Sequence, residues 1–259
     1  MSLAFSSAGD PNQIPVILLH AFPLNRLMWR HQLESLSEQA YILAPDLPGF
    51  GDSPLSDSPG SMNDYVQQVI AFMDEQKIEQ AVLGGCSMGG YILFEFWRIM
   101  PRRILGLILC DTRAEADSGE QMNNRLKMAE TVRRDGVNLL VQDIPEKLLG
   151  KTTQSQNPEM VREIENTIQS TNPEGVVQAQ VAMAARPGSL VTLESIIAPT
   201  LIIVGEEDIL TPPSAAQTMH QRIPTSDMVI IEKAGHLSPL EQPGLVNSAM
   251  HNFLQSTSP

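Results

Sequence analysis

Cysteine is scarce in this chain, and positive charge is scarcer than negative. Of 259 residues only two are cysteine, Cys86 and Cys110, each within or at the end of an apolar run. They read as buried free thiols of a reducing compartment, so a cytoplasmic location is expected and a disulfide framework is not. Lys and Arg number 17 against 30 Asp and Glu, a net charge of −13. A surface of that sign repels phosphate backbones and anionic lipid headgroups, so neither nucleic acid nor a membrane is expected as a partner. No apolar run approaches the ~18 residues that a spanning helix needs. The opening MSLAFSSAGD has neither the basic region nor the apolar stretch of a secretory signal. Internal repeats and low-complexity tracts are also lacking. What remains is a chain that is 42% hydrophobic, of a length suited to one large domain or one domain carrying an insertion.

Short apolar runs alternate with helix-length amphipathic segments. Strands are predicted in PVILLH (15–20), YILAPD (41–46), QAVLGGC (80–86), ILGLILCD (104–111), PTLIIVGEED (199–208) and SDMVIIEKAGH (226–236). Helices are predicted in LMWRHQLESLSEQ (27–39), in SMNDYVQQVIAFMDEQKI (61–78) with Tyr65, Val69 and Phe72 on one face, and from Met88 to Met100. The strands are nearly continuous in Val, Ile and Leu. That pattern means burial on both faces, hence a parallel sheet covered by helices. Residues 112–198 break the alternation: helical segments punctuated by Pro and Gly fill them, without a convincing strand. The expected organisation is therefore an α/β core over 1–111 and 199–259 with a helical cap over 112–198.

The stretch GGCSMGG (84–90) lies between a buried strand and a helix. Glycine weakens both elements, so its clustering needs a cause. A tight strand-to-helix turn supplies one. Small residues two places before and after Ser87, Gly85 and Gly89, let the chain pass close to itself while the Ser87 hydroxyl is pushed out above the sheet. This is the G-x-S-x-G nucleophile elbow. Alone, the pattern arises by chance in roughly one chain of this length in ten. A serine nucleophile also needs a base and an acid that orients it.

Of the five histidines, His31, His220 and His251 fall in helical segments, where surface or packing roles are the rule. His20 ends the first of these strands. His236 lies in a glycine-preceded loop past the last strand, on the side where parallel sheets bind ligands, and is the expected base. For the acid there are two candidates, Asp208 and Asp111, each closing a strand. His20, Asp46, Ser87, Asp111, Asp208 and His236 all close or follow different strands and so gather on one rim. Cys86 reads as a small buried filler, and His20 either as a support of its loop or as a satisfied strand-end histidine.

In these motifs the chain resembles the serine α/β-hydrolase superfamily. The order Ser87, Asp208, His236 matches its order of nucleophile, acid and base. LLHAFPLN resembles its oxyanion loop, DLPGFGDS (46–53) the turn after its fourth strand, and PTLIIVGEED and AGHLSPLEQP its acid and histidine segments. DTRAEAD (111–117) and AMAARPGS (182–189) look most like small bacterial carboxylesterases grouped with enol-lactone hydrolases and cofactor-free haloperoxidases. Ala21 departs from the glycine usual after the oxyanion-loop histidine, which predicts a slightly shifted loop. The short lead LAFSSAG predicts one strand where the family has a hairpin, hence a mostly parallel sheet of about seven strands with helices on both faces.

The resemblance implies Asp208 as the acid and hydrolysis of a small carboxylic ester or lactone through an acyl-serine. It implies backbone N–H groups of Phe22 and Met88 as the oxyanion hole, with no metal and no cofactor. The partner is then a small-molecule substrate, and the assembly a monomer or homodimer. Two other readings share the fold: a carbon–carbon bond hydrolase of ring-cleavage products, and a ligand-binding protein without catalysis. Of the segment's methionines, Met122, Met128, Met160 and Met183 read as core or as lining of an adaptable pocket. Five of its arginines, Arg113, Arg125, Arg133, Arg134 and Arg186, read as solvent-facing, so neutral esters are expected to be preferred over carboxylated lactones.

Overall fold

The structure, a computed structural model, describes residues 2–57 and 60–257. Its strands are β1 (Phe5–Ala8), β2 (Pro15–Leu19), β3 (Tyr41–Pro45), β4 (Ala81–Cys86), β5 (Ile104–Cys110), β6 (Thr200–Gly205) and β7 (Ser226–Ile231). They form one seven-stranded sheet in the order β1-β3-β2-β4-β5-β6-β7. Only β1 runs antiparallel, against β3. The single leading strand and the seven-strand count agree with the sequence expectation.

The register levels the carboxyl ends of the central strands: Leu19 pairs with Gly85, Cys86 with Cys110, and Cys110 with Ile203. Strands β4 and β6 are buried along their whole length, as their unbroken apolar sequences require. The last strand corrects the expectation. Met228, Val229 and Ile230 remain partly or largely exposed, and only Ile231 is buried, because β7 is the sheet edge.

The first connection also differs from the predicted single helix. Residues Arg26–Trp29 form a 3₁₀ turn, capped by Asn25 accepting from the Leu27 N–H, before α1 (Arg30–Leu36). Helix α2 (Met62–Glu75) begins with a reciprocal Ser61–Asp64 capping box, and Tyr65, Val69 and Phe72 are buried on its inner face. Helix α3 (Met88–Ile99) follows β4 directly.

Between β5 and β6 lie α4 (Gly119–Asp135), α5 (Leu140–Leu148), α6 (Lys151–Gln156), α7 (Pro158–Ser170), α8 (Pro173–Ala185) and α9 (Leu190–Leu193). Helix α6 has the sequence KTTQSQ, whose lack of apolar periodicity hid it from pattern reading. Helix α8 carries buried residues on every side and presses Gly175 against Gly49; a Cβ on Gly175 would stand 2.2 Å from the Gly49 carbonyl oxygen. These helices have no core of their own. Two hydrophobic clusters flank the sheet, and each runs on into them: Ala179, Ala182 and Met183 join one, Val132, Ile164 and Ile168 the other. The chain closes with α10 (Pro213–Arg222), α11 (Ser238–Glu241) and α12 (Pro243–Thr257). Among the described residues no helix is long and apolar enough to cross a membrane.

Candidate active site

Ser87 stands between β4 and α3 with φ 51° and ψ −108°, a conformation that L-residues rarely adopt. The flanking glycines show why the turn is possible. A Cβ on Gly85 would lie 2.4 Å from the Gly89 carbonyl carbon, and a Cβ on Gly89 would lie 2.4 Å from the Leu19 carbonyl oxygen. The chain thus passes itself at a distance no side chain permits, and the strained residue at the tip lifts its hydroxyl off the sheet.

His236 reaches that hydroxyl. Its Nε2 lies 2.8 Å from Ser87 Oγ, and its Nδ1 lies 2.8 Å from Asp208 Oδ2. An ionised carboxylate only accepts, so Nδ1 carries the proton and Nε2 is left to accept from Ser87. Asp208 is held in place by its own turn: Oδ1 accepts from the N–H groups of Leu210 and Thr211, and Oδ2 from the Thr211 hydroxyl at 2.6 Å. Both Asp208 and His236 are buried. Burial alone opposes both charged forms, but here the mutual attraction and shared hydrogen bonds outweigh it. The Asp208 carboxyl therefore sits below its ordinary range, and the His236 imidazole above its ordinary 6.5.

Two further carboxylates surround the histidine loop, and neither is paired with an arginine or lysine. Asp111 is fully buried at φ 44°. It accepts from the Gly205 N–H at 2.8 Å, the Ser238 N–H at 3.0 Å and the Ser238 hydroxyl at 2.6 Å, tying the ends of β5 and β6 to the loop. Burial and the charge of Asp208 push its pKa up to about 7. Glu241 accepts from the N–H groups of Gly235 and Leu237 on either side of His236, and from that of Gly150 at the start of α6. Burial raises its pKa despite these donors. Asp111 and Glu241 both add to the field that favours the imidazolium.

Ser87, His236 and Thr211 line a cavity of about 320 Å³ together with Phe22, Tyr91, Met128, Leu148, Met183 and Leu210. The N–H groups of Phe22 and Met88 find no protein acceptor among the described residues. Both belong to segments that flank Ser87, Met88 as its neighbour and Phe22 through the cavity wall. No three His, Cys, Asp or Glu side chains among the described residues cluster so as to hold a metal ion.

A family model described as the alpha/beta hydrolase fold matches residues 14–243. The chain belongs to the α/β hydrolase family. This hydrolase is 39% identical to a thermophilic esterase from Thermogutta terrifontis, solved with malate bound. The match covers 99% of this chain and 94% of the esterase, with a TM-score of 0.96. It is 26% identical to 3-oxoadipate enol-lactonase 2 of Acinetobacter baylyi over 98% of this chain and 94% of that protein. A putative 2-succinyl-6-hydroxy-2,4-cyclohexadiene-1-carboxylate synthase of Bacillus subtilis is 27% identical over 98% and 94% of the two chains.

Within the hydrolase the other rim residues serve structure. His20 is fully buried; its Nε2 accepts from the Leu47 N–H, so its Nδ1–H donates to the Ala21 carbonyl, joining the loops after β2 and β3. Both of the roles weighed for His20 therefore hold at once. Asp46 binds the N–H and guanidinium of Arg26 and the N–H of Asp52. Asp111 does not touch His236, which separates the two candidate acids. Cys86 is buried beside Asp111, and burial drives its thiol well above the ordinary range, as expected of a filler. Ala21 has no positive φ, so its loop does not use the freedom that glycine would supply.

The reading of the arginines is overturned. Only Arg133 and Arg134 are largely exposed. Arg113 and Arg125 line the Ser87 cavity, and Arg186 is buried with its guanidinium 4.1 Å from the centre of the Tyr91 ring. Asp117 gathers all three. Among the methionines, Met128 and Met183 line the cavity, Met160 is core and Met122 is 39% exposed. Sequence reasoning also missed Thr211 and Glu241. Thr211 carried a local signal, a hydroxyl three residues after a turn aspartate. Glu241 carried none, since the amides it accepts lie partly 91 residues away.

Proposed function

We propose that this α/β hydrolase cleaves small carboxylic esters or lactones through an acyl-enzyme on Ser87. The observation that carries the reading is the unbroken hydrogen-bond chain Asp208–His236–Ser87, which ends at a cavity lined in part by Phe22, whose N–H, like that of Met88, has no protein acceptor among the described residues. His236 Nε2 takes the Ser87 proton as Oγ bonds to the ester carbonyl carbon. Asp208 holds the tautomer and stabilises the imidazolium. Charge developing on the carbonyl oxygen is met by the N–H groups of Phe22 and Met88. The alcohol oxygen leaves with the proton from His236. A water then gives its proton to His236 and its oxygen to the acyl carbon, and Ser87 Oγ regains the proton as the acid departs. In a lactone the alcohol and acid remain one molecule. The helices of 112–198 act as a cap over the core of 1–111 and 199–259, enclosing the reacting bond and shaping the cavity.

A fluorophosphonate probe tests the nucleophile. Mass spectrometry is expected to find one adduct, on the peptide bearing Ser87, and none after pre-incubation with a turned-over phenyl ester. Product analysis separates ester from carbon–carbon cleavage, because only the former releases an alcohol. An unlabelled Ser87 with no product from any ester would leave a ligand-binding protein.

The pH dependence follows from the histidine. The base must be neutral, and its pKa is raised by Asp208, Asp111 and Glu241. The acid limb of kcat/KM, which reports the free enzyme, is therefore expected above pH 6.5, with activity lost as pH falls through it. A limb well below that value in a pH series would show that the buried carboxylates do not act on His236.

A further inference from the structure

Building on the ester-hydrolase reading, we infer that Arg113 and Arg125, braced by Asp117 in the wall of the Ser87 cavity, form a carboxylate-recognition subsite. The favoured substrates are then small esters or lactones that carry a second, ionised acid group. The charge balance is the first observation. The whole chain carries −13, yet among the described side chains lining this cavity Arg113, Arg125 and Lys147 stand against Asp117 alone. With His236 neutral, the lining is positive by two charges in a protein that is otherwise strongly negative. Such a concave, low-dielectric site concentrates anions.

The pairing is the second observation. Elsewhere among the described residues each arginine in an ion pair has at least one carboxylate to itself, and Arg26 has two. Around Asp117 three guanidiniums share one carboxylate. Its Oδ1 accepts from Arg113 at 2.6 Å and Arg186 at 2.8 Å, and its Oδ2 from Arg125. Arg186 is the most engaged: it donates to the Met183 and Glu115 carbonyls as well and stacks on Tyr91. The other two are less so. Arg113 is also aimed at Gln121 Oε1 and faces the Tyr91 hydroxyl, but its Nε is buried without an acceptor. Arg125 spends Nε on Asp117 and Nη1 on Gln180 and Met183, leaving Nη2 unmatched. The Asp117 carboxyl is held down at about 2 by these guanidiniums, against the effect of burial, so it stays ionised and fixed. Three guanidiniums on one carboxylate leave a surplus of positive charge that a purely structural cluster does not need. An incoming carboxylate supplies an acceptor for the guanidinium nitrogens that face the cavity, such as Arg125 Nη2, and a guanidinium fork can bind it at two points.

Distance and size define the ligand. Ser87 and the arginines share one cavity of about 320 Å³, the small end of ligand pockets. The spacer between the scissile carbonyl and the second acid group must be short. Its path is apolar, past Phe22, Met128 and Met183.

The test uses two esters with the same leaving group and matched acyl length, monophenyl succinate and phenyl butyrate. The wild-type enzyme is expected to favour the succinate by at least about tenfold in kcat/KM, or ~1.4 kcal/mol of transition-state binding. In Arg113→Gln and Arg125→Gln that ratio is expected to fall about tenfold each. Calorimetry on the wild-type protein, which needs neither turnover nor a variant, is expected to show succinate binding about tenfold more tightly than butyrate. A ratio near one with both esters turned over, or equal binding of the two acids, would overturn the subsite and leave the ester reading standing. Tight succinate binding with neither ester hydrolysed would keep the subsite and sink the ester reading.

Discussion

Ser87→Ala is expected to lower ester turnover by about 10⁵–10⁶, and His236→Ala by a similar factor, while the double variant is hardly worse than either. The reason is that the proposed mechanism gives the two side chains one proton transfer to perform. His236 Nε2 sits 2.8 Å from Ser87 Oγ, and neither group does its part without the other. Once the nucleophile is gone, an aligned imidazole has no proton to take. Once the imidazole is gone, a neutral hydroxyl is a poor nucleophile. In that mechanism the residual rate comes from the Phe22 and Met88 N–H groups and from binding, which both variants keep. The measurement is kcat/KM for a phenyl ester in all three variants at one pH. Additive losses in the double variant would mean that the residues act in separate steps, and full activity in Ser87→Ala would remove the acyl-serine altogether.

Asp208→Asn is expected to cost about 10⁴ in turnover while the fold is kept. Oδ2 of Asp208 faces His236 Nδ1 at 2.8 Å and takes the Thr211 hydroxyl on its other side. An amide placed there with its oxygen on the Leu210 and Thr211 N–H groups points its NH₂ at Nδ1. The imidazole answers by moving its proton to Nε2, where it can no longer accept from Ser87. Turning the amide round restores the tautomer but sets its NH₂ against the Leu210 and Thr211 N–H groups that Oδ1 now satisfies. Asp111→Asn is expected to be far milder, because Asp111 holds Ser238 and Gly205 and touches no atom of the imidazole. An active Asp208→Asn beside an inactive Asp111→Asn, measured with the same ester, would transfer the role of acid to Asp111.

The corrections share a cause. The apolar run of β7 was legible, but that it lies at the sheet edge was not: a strand's own sequence does not state which neighbours it has. The Asp117–Arg113 pair is four residues apart and local. Arg186 reaches the same carboxylate from 69 residues away, and its burial follows from how α8 seats against the sheet. Read alone, the five arginines carry no mark of which will be enclosed.

What the sequence by itself determined is whatever short-range sterics and burial demand. Unbroken Val, Ile and Leu runs dictate a buried parallel sheet. Gly85 and Gly89 dictate a turn that only glycine permits. A serine at its tip, with an aspartate and a histidine ending later strands, places three groups on one rim. The tertiary structure alone decided which of two rim aspartates meets the histidine, that Asp111 and Glu241 encircle its loop, and that Arg113 and Arg125 line the cavity of Ser87. Each of those outcomes depends on angles and separations between elements far apart in the chain. A carboxylate–imidazole bond or a guanidinium facing a cavity is won or lost within about an ångström, and no local pattern specifies distance that finely.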